Sequence, residues 1–325
     1  MNRLETFIYH SRIYLFLERK SKRLVLPGFN GVPLYDVIYF FISQVKKVGL
    51  NDRARSISFS FLTAIPAAAI FLCTLIPYFP ISKQLTRQLL LVTKDITPNQ
   101  NTYLLVSDFL KDFLNKPRNG LLSFGFLLAI FYSSNAVIGI MRSFDKSLIY
   151  NEARGFFQTR WMAVKLTILV VFLLVGSIII LVTQNEVLHI ILKEMHINNH
   201  SAKWLFSALR WVVIVPLFYF SIAFIYKYAP AVKERWNLSS PGTLLATFLI
   251  ILTVLFFSYW VNRFGSYNKV YGSIGTILIL MLLIYFNSLV LLIGYELNVS
   301  IHHLKKTATE REGSLKKNTL DKKPV

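Results

Sequence analysis

The chain has 325 residues, of which 54% are hydrophobic, and its formal net charge is +20. With a mean hydropathy of +0.50, this composition departs from that of a soluble domain toward a polytopic membrane protein. A single cysteine, Cys73, excludes an intrachain disulfide framework and a cysteine-built zinc site. The charge would suit nucleic acid, but cytoplasmic flanks of membrane helices are also rich in Lys and Arg, so its placement decides its meaning.

Residues 1–33 form a basic N-terminal segment, too broken by charge to supply a signal-peptide core. Between 34 and 48 the apolar positions Leu34, Val37, Ile38, Phe41, Ile42 and Val45 recur at helical spacing. This predicts an amphipathic helix, lying on the membrane surface or packed on the bundle. The first predicted span, 57–79, contains Pro66 and is expected to be kinked. Residues 80–119 leave the membrane, and two amphipathic runs around the turn TPNQN predict an extracytoplasmic helical hairpin.

The second span, 121–141, carries Ser133, Ser134 and Asn135 at depth, where polar side chains usually bond across helices. A basic turn, 142–160, leads to the third span, 162–182, with Lys165 placed to snorkel to the interface. In 183–203, His196 and His200 have the i, i+4 spacing of a metal pair, but no thiol or aspartate completes a set, and a solvated loop is expected. The fourth and fifth spans are 211–226, with Arg210 at its start, and 244–261; a basic turn joins them. The sixth, 274–295, is free of charge over a length sufficient to cross a hydrocarbon core of about 30 Å. The tail, 304–325, has almost no apolar content and is expected to be disordered.

The predicted fold is therefore all-α, a bundle of six transmembrane helices with amphipathic surface helices. Lys and Arg concentrate in 1–55, 142–165, 227–235 and 305–323, which places both termini in the cytoplasm.

Several motifs keep their order across 34–303: RSFDK followed by ARGFFQTR, YKYAP (226–230) followed by SSPG (239–242), then FGSYNKVYGSIG and LLIGYELN (291–298). In these the chain resembles the YihY/BrkB family of bacterial inner-membrane proteins. The motif residues include Gly265, Tyr271, Gly272, Tyr285 and Gly294. The resemblance implies an inner-membrane location more firmly than an activity; members have been labelled ribonuclease BN or a serum-resistance virulence factor.

No Walker loop, GxSxG, HExxH or clustered His, Asp and Glu is present, so no catalytic, cofactor or metal site is expected. The polar residues in or near spans remain as candidates: Ser134, Asn135, Arg142, Asp145, Asn287 and Glu296. Glu296 shares a helix face with Tyr285, Leu289 and Leu292, and that face is expected to meet a basic neighbour; the alternative is an interfacial pair with Lys305 or Arg142. The leading functional expectation is a non-enzymatic, transporter-like protein acting on a lipid or other amphiphile of the envelope. Its expected partners are membrane lipids, including anionic lipids or envelope lipid precursors, without specific nucleic-acid binding. A scaffold recruiting partners through its basic termini is the alternative, and a membrane-tethered ribonuclease ranks last.

Overall fold

The computed structural model describes residues 12–29, 31–78, 119–148, 154–195, 199–232, 236–263 and 266–320, with short pieces between 86 and 111. Side chains of 12–17, 75–76, 119, 177–210, 213, 262–276 and 312–320 lie outside the description. Among the described residues there is no strand. The helices are α1 (Arg12–Arg23), α2 (Leu34–Lys47), α3 (Leu50–Leu75), α4 (Asn119–Asp145), α5 (Phe156–Met195), α6 (Asn199–Tyr228), α7 (Pro241–Arg263) and α8 (Ser266–Leu320). Five of these hold segments long and apolar enough to cross a membrane: Leu50–Thr74, Gly120–Asp145, Phe156–Gly176, Pro241–Val261 and Ile277–Arg311. In α6 the described apolar segment, Ile214–Tyr228, is shorter.

From α3 onward, each helix packs on the next in the chain, and α8 returns to pack on α3. The result is a closed ring in sequence order. One end of that ring, here the basic end, carries α1, α2, the α4–α5 and α6–α7 connections and the later part of α8. Packing is tightest there. Within α8 the residues Val290–Leu292, Gly294–Glu296 and Asn298–Ile301 are buried, so every side of the helix is covered. Nearer its start, Ile277, Leu278, Leu280, Met281 and Leu282 are exposed, over more than half of the circumference at 3.6 residues per turn. Burial of α8 is thus complete toward the basic end and partial nearer its start.

An aromatic cluster closes the basic end. Phe144 of α4 stacks on Tyr295 of α8 at 3.7 Å, and Tyr226 of α6 meets both rings edge-on. Such rings bury large apolar areas with defined geometry, so a few of them tie three helices across the ring. Helices α7 and α8 approach most closely at Gly242 and Gly294, where a Cβ on Gly294 would stand 2.5 Å from the Gly242 carbonyl oxygen. Only hydrogen fits in that space.

The amphipathic α2 packs on α8: Val37 is buried beside Ile301, and Phe40 stacks on His303. Its other side leaves Ile38, Tyr39 and Ile42 exposed, so it packs on the bundle while presenting an apolar strip outward. Turn geometry explains how α1 reaches this layer. Gly28, at φ 87°, lets the chain turn against Pro241, where a Cβ would lie 2.9 Å from its ring.

Two helices run further than their apolar segments. Helix α5 continues past 182 to Met195, so part of the expected loop 183–203 is helix. At about 1.5 Å per residue, its 40 residues extend well past a bilayer core. Residues 304–320, expected to be disordered, continue α8. Low apolar content argues against a packed core, not against helix, and once α8 is nucleated, strong helix formers such as Lys, Glu and Leu propagate it at little cost. Pro66 lies inside the unbroken helical run of α3. The hairpin predicted for 80–119 and Gly265 lie largely or wholly outside the described residues, as do the side chains of His196, His200, Arg210 and Tyr271 and the surroundings of Gly272.

Candidate functional site: a basic groove beside a buried ion pair

Arg53 stands one turn into α3, on the stripe formed by Leu50, Ala54 and Ile57, all of them buried. It is therefore carried into the bundle by the same i, i+3, i+4 periodicity that buries its apolar neighbours. Its Nη1 donates to Glu296 Oε1 at 2.7 Å, with side-chain exposures of 3% and 0%. Ser147, just beyond α4, also donates to Glu296 Oε1. Three elements thus converge on one carboxylate. Nε and Nη2 of Arg53, Oε2 of Glu296 and the Tyr295 hydroxyl are buried without hydrogen-bond partners among the described residues. Unsatisfied buried donors are costly, so spare Arg53 N–H groups call for a ligand or water.

Arg53 also forms part of the wall of a groove of about 690 Å³ between α3, α4 and the start of α5. Arg142, Lys146 and Arg160 line it, with Asn135 deeper and Ser56, Ser60 and Thr63 along α3. Arg160 is held by neutral acceptors, donating to Ser134 Oγ and Asn135 Oδ1 at 2.8 Å, and lies 4.6 Å from the Phe131 ring centroid. Among the described residues neither Arg142 nor Lys146 has an ion-pair partner. Asp52, the acidic residue of the lining, pairs outward with Arg55 at 3.1 Å. Phe59 and Phe156, each 69% exposed, flank the opening.

The motif residues assemble the frame around this site. Asp145 accepts from the Ala231 N–H at 3.0 Å, and Arg154 donates to the carbonyls of Ala229 and Pro230 at 2.9 and 2.6 Å. The two charges clamp the end of α6, where terminal carbonyls lack helical partners. Ser240 and Pro241 start α7 in the usual cap and first-turn positions. Asn298 of α8 accepts from the Gly242 N–H and donates to Ser240, both at 2.8 Å, while Tyr226 donates to the Leu291 carbonyl at 2.6 Å. RSFDK, ARGFFQTR, YKYAP, SSPG and LLIGYELN, separated in sequence, therefore meet at the basic end.

The candidate residues divide among these sites. Ser134, Asn135 and Arg142 belong to the groove or its wall, Glu296 to the pair behind it, and Asp145 to the clamp. Asn287 donates to its own helix at the Leu283 carbonyl and leaves a buried Oδ1 unpartnered. Tyr285 donates to Asn51 of α3 at 3.3 Å, so the Tyr285–Glu296 face of α8 does meet α3. The basic neighbour of Glu296 is Arg53, and neither Lys305 nor Arg142. Lys165 lies over the Trp161 ring at 5.3 Å, both exposed. Sequence reasoning missed Arg53 and Arg160 as site residues. The signal for Arg53 was its position on the Leu50, Ala54, Ile57 stripe.

Helices of membrane-crossing length, their apolar outer surfaces and the polar groups gathered at one end define a multi-pass helical membrane protein. The chain belongs to the BrkB family: the family model described as Virulence factor BrkB matches residues 41–319. It is similar to a ribonuclease-like protein, YfkH, of Bacillus subtilis (strain 168), at 30% identity over 263 residues, 80% of this chain and 93% of the relative. Shorter similarities link it to UPF0761 membrane proteins. One from Tolumonas auensis is 32% identical over 28% of this chain and 30% of its own length, and one from Pseudoalteromonas translucida is 35% identical over 24% and 26%. No solved structure matches.

Proposed function

We propose that the protein is a non-enzymatic, transporter-like protein that handles a lipid or other amphiphile of the cell envelope. The observation that carries this is the groove: a polar, basic recess between membrane-crossing helices, flanked by exposed phenylalanines, suits a molecule with a polar head and an apolar body. The reading includes six spans, with α6 as the fourth, and a bacterial inner-membrane location. It places the basic end in the cytoplasm, by the distribution of Lys and Arg.

The test is movement of lipid. Protein reconstituted into liposomes bearing a headgroup-labelled fluorescent lipid should accelerate exchange between leaflets, read as loss of protection from an impermeant quencher. Exchange no faster than in protein-free liposomes, across neutral and anionic labelled lipids, would remove the transport reading. The exposed helical extension with Lys305, Lys306 and Arg311 favours one other reading, a scaffold that recruits a partner at its basic end. That reading predicts unchanged lipid exchange and loss of the biological role on truncation after 304.

A further inference from the structure

The chemical class of the amphiphile follows from the groove, and the inference rests on the lipid-handling reading above. We propose that the recess between α3, α4 and α5 is a headgroup site for a phosphate-bearing anionic lipid. In this site Arg142 and Lys146 supply the uncompensated charge, and Arg53 supplies donors from the inner wall.

Four cationic side chains line the recess against one carboxylate, and that carboxylate, Asp52, is largely exposed and already paired with Arg55. Arg142, in the last turn of α4, and Lys146, just beyond its end, both line the recess. Two further features turn a basic patch into a built site. The Arg53 side chain is 3% exposed, and its Nε and Nη2 have no acceptor among the described residues. Arg160, fixed by Ser134 and Asn135, holds its guanidinium in place without an acidic partner among the described residues.

A tetrahedral phosphate offers several acceptor oxygens, and charge-assisted bonds from arginine are the strong ones in a partly desolvated site. The hydroxyls of Ser60 and Thr63 donate to carbonyls of their own helix, so charge recognition falls to the guanidinium and ammonium groups. A free phosphate ion would use the same donors. Phe59 and Phe156 at the opening give an acyl-bearing molecule an additional apolar contact that a free ion lacks. Glu296 tunes the site from behind: it compensates part of the charge of Arg53 and leaves two of that side chain's nitrogens available.

The experiment uses the full chain in nanodiscs containing phosphatidylcholine and a minor fraction of phosphatidylglycerol. Lipid retained through detergent exchange is then measured by mass spectrometry. Wild type should retain phosphatidylglycerol over phosphatidylcholine. Arg142→Gln/Lys146→Gln should reduce that preference by about tenfold or more, as expected for loss of charge-assisted contacts. Both residues are exposed, so the fold should survive. Lys46→Gln/Lys47→Gln removes two exposed charges from α2 at the same end and should leave the preference within about twofold, because long-range charge alone is screened. Glu296→Gln should strengthen retention, since it frees the charge of Arg53; a merely structural role would weaken it. Equal loss in the two double variants would overturn the site. Displacement of the lipid by millimolar inorganic phosphate at constant ionic strength would assign the groove to a free ion and overturn the lipid assignment. Retention without accelerated exchange in liposomes would preserve the site while removing transport.

Discussion

Replacing either partner of the Arg53–Glu296 pair leaves the other charge uncompensated and almost wholly shielded from solvent. The pair lies at 2.7 Å with exposures of 3% and 0%, so solvent screening offers little relief. Breaking a buried pair from one side typically costs about 3–5 kcal/mol, because the remaining charge is left uncompensated. Among the described residues, Arg53→Met leaves Glu296 with the Ser147 hydroxyl as its remaining donor, and Glu296→Met leaves Arg53 without an acceptor. Each single variant should therefore lose about 3 kcal/mol or more. The double variant, Arg53→Met/Glu296→Met, replaces the pair by apolar side chains of similar length and should recover most of the loss. About 1–2 kcal/mol should remain, for the orphaned Ser147 hydroxyl and imperfect packing. The assay is equilibrium unfolding in mixed micelles, followed through tryptophan emission, with all four proteins compared at one lipid-to-detergent ratio. Single variants within about 0.5 kcal/mol of wild type, or a double variant equal to the sum of the singles, would refute the pairing.

The remaining expectations concern the frame and the orientation. Gly294→Ala should destabilise by about 1–3 kcal/mol, because its Cβ would meet the Gly242 carbonyl at 2.5 Å and the Ala246 Cβ at 2.7 Å; Gly294→Leu should abolish monodisperse protein, read by size-exclusion chromatography. Arg154→Gln loses two charge-assisted bonds to the α6 terminus and should cost about 2 kcal/mol in the same unfolding assay, with protection of the Ala229 and Ala231 amides falling in hydrogen exchange. In a Cys73-free background, a cysteine at Asn99 should react with an impermeant thiol reagent in intact cells, and one at Lys316 should not. Labelling at Lys316 would contradict the proposed orientation.

Much of the fold is legible from hydropathy because a membrane-crossing helix must satisfy its backbone internally and cover itself with apolar side chains. The charge-free run after Ile274 shows this directly. Helix ends are less legible. The continuation of α5 past 182 and of α8 past 304 depends on helix propagation beyond the apolar segment, and hydropathy does not report that. The site is partly legible. Glu296 announces itself as a carboxylate beside a long apolar run, and the helical phase correctly directs its face toward a basic neighbour. The identity of that neighbour is not local information: Arg53 is 243 residues away in sequence, and Lys305 and Arg142 are equally plausible until α8 is known to return to α3. Arg160 is hidden for a similar reason, since its role depends on α5 lying alongside Ser134 and Asn135. Gly294 belongs to a motif, but its need for glycine appears only once Gly242 faces it across the α7–α8 contact.

The most direct test of a lipid-handling groove is a cryo-electron microscopy map of the protein extracted with its native lipid. The account predicts density for a phosphate-bearing headgroup within hydrogen-bond distance of Arg142 and Lys146, with an acyl chain passing Phe59 or Phe156. Well-ordered lipid elsewhere on the bundle, beside an empty groove with Arg142 and Lys146 turned to solvent, would contradict it.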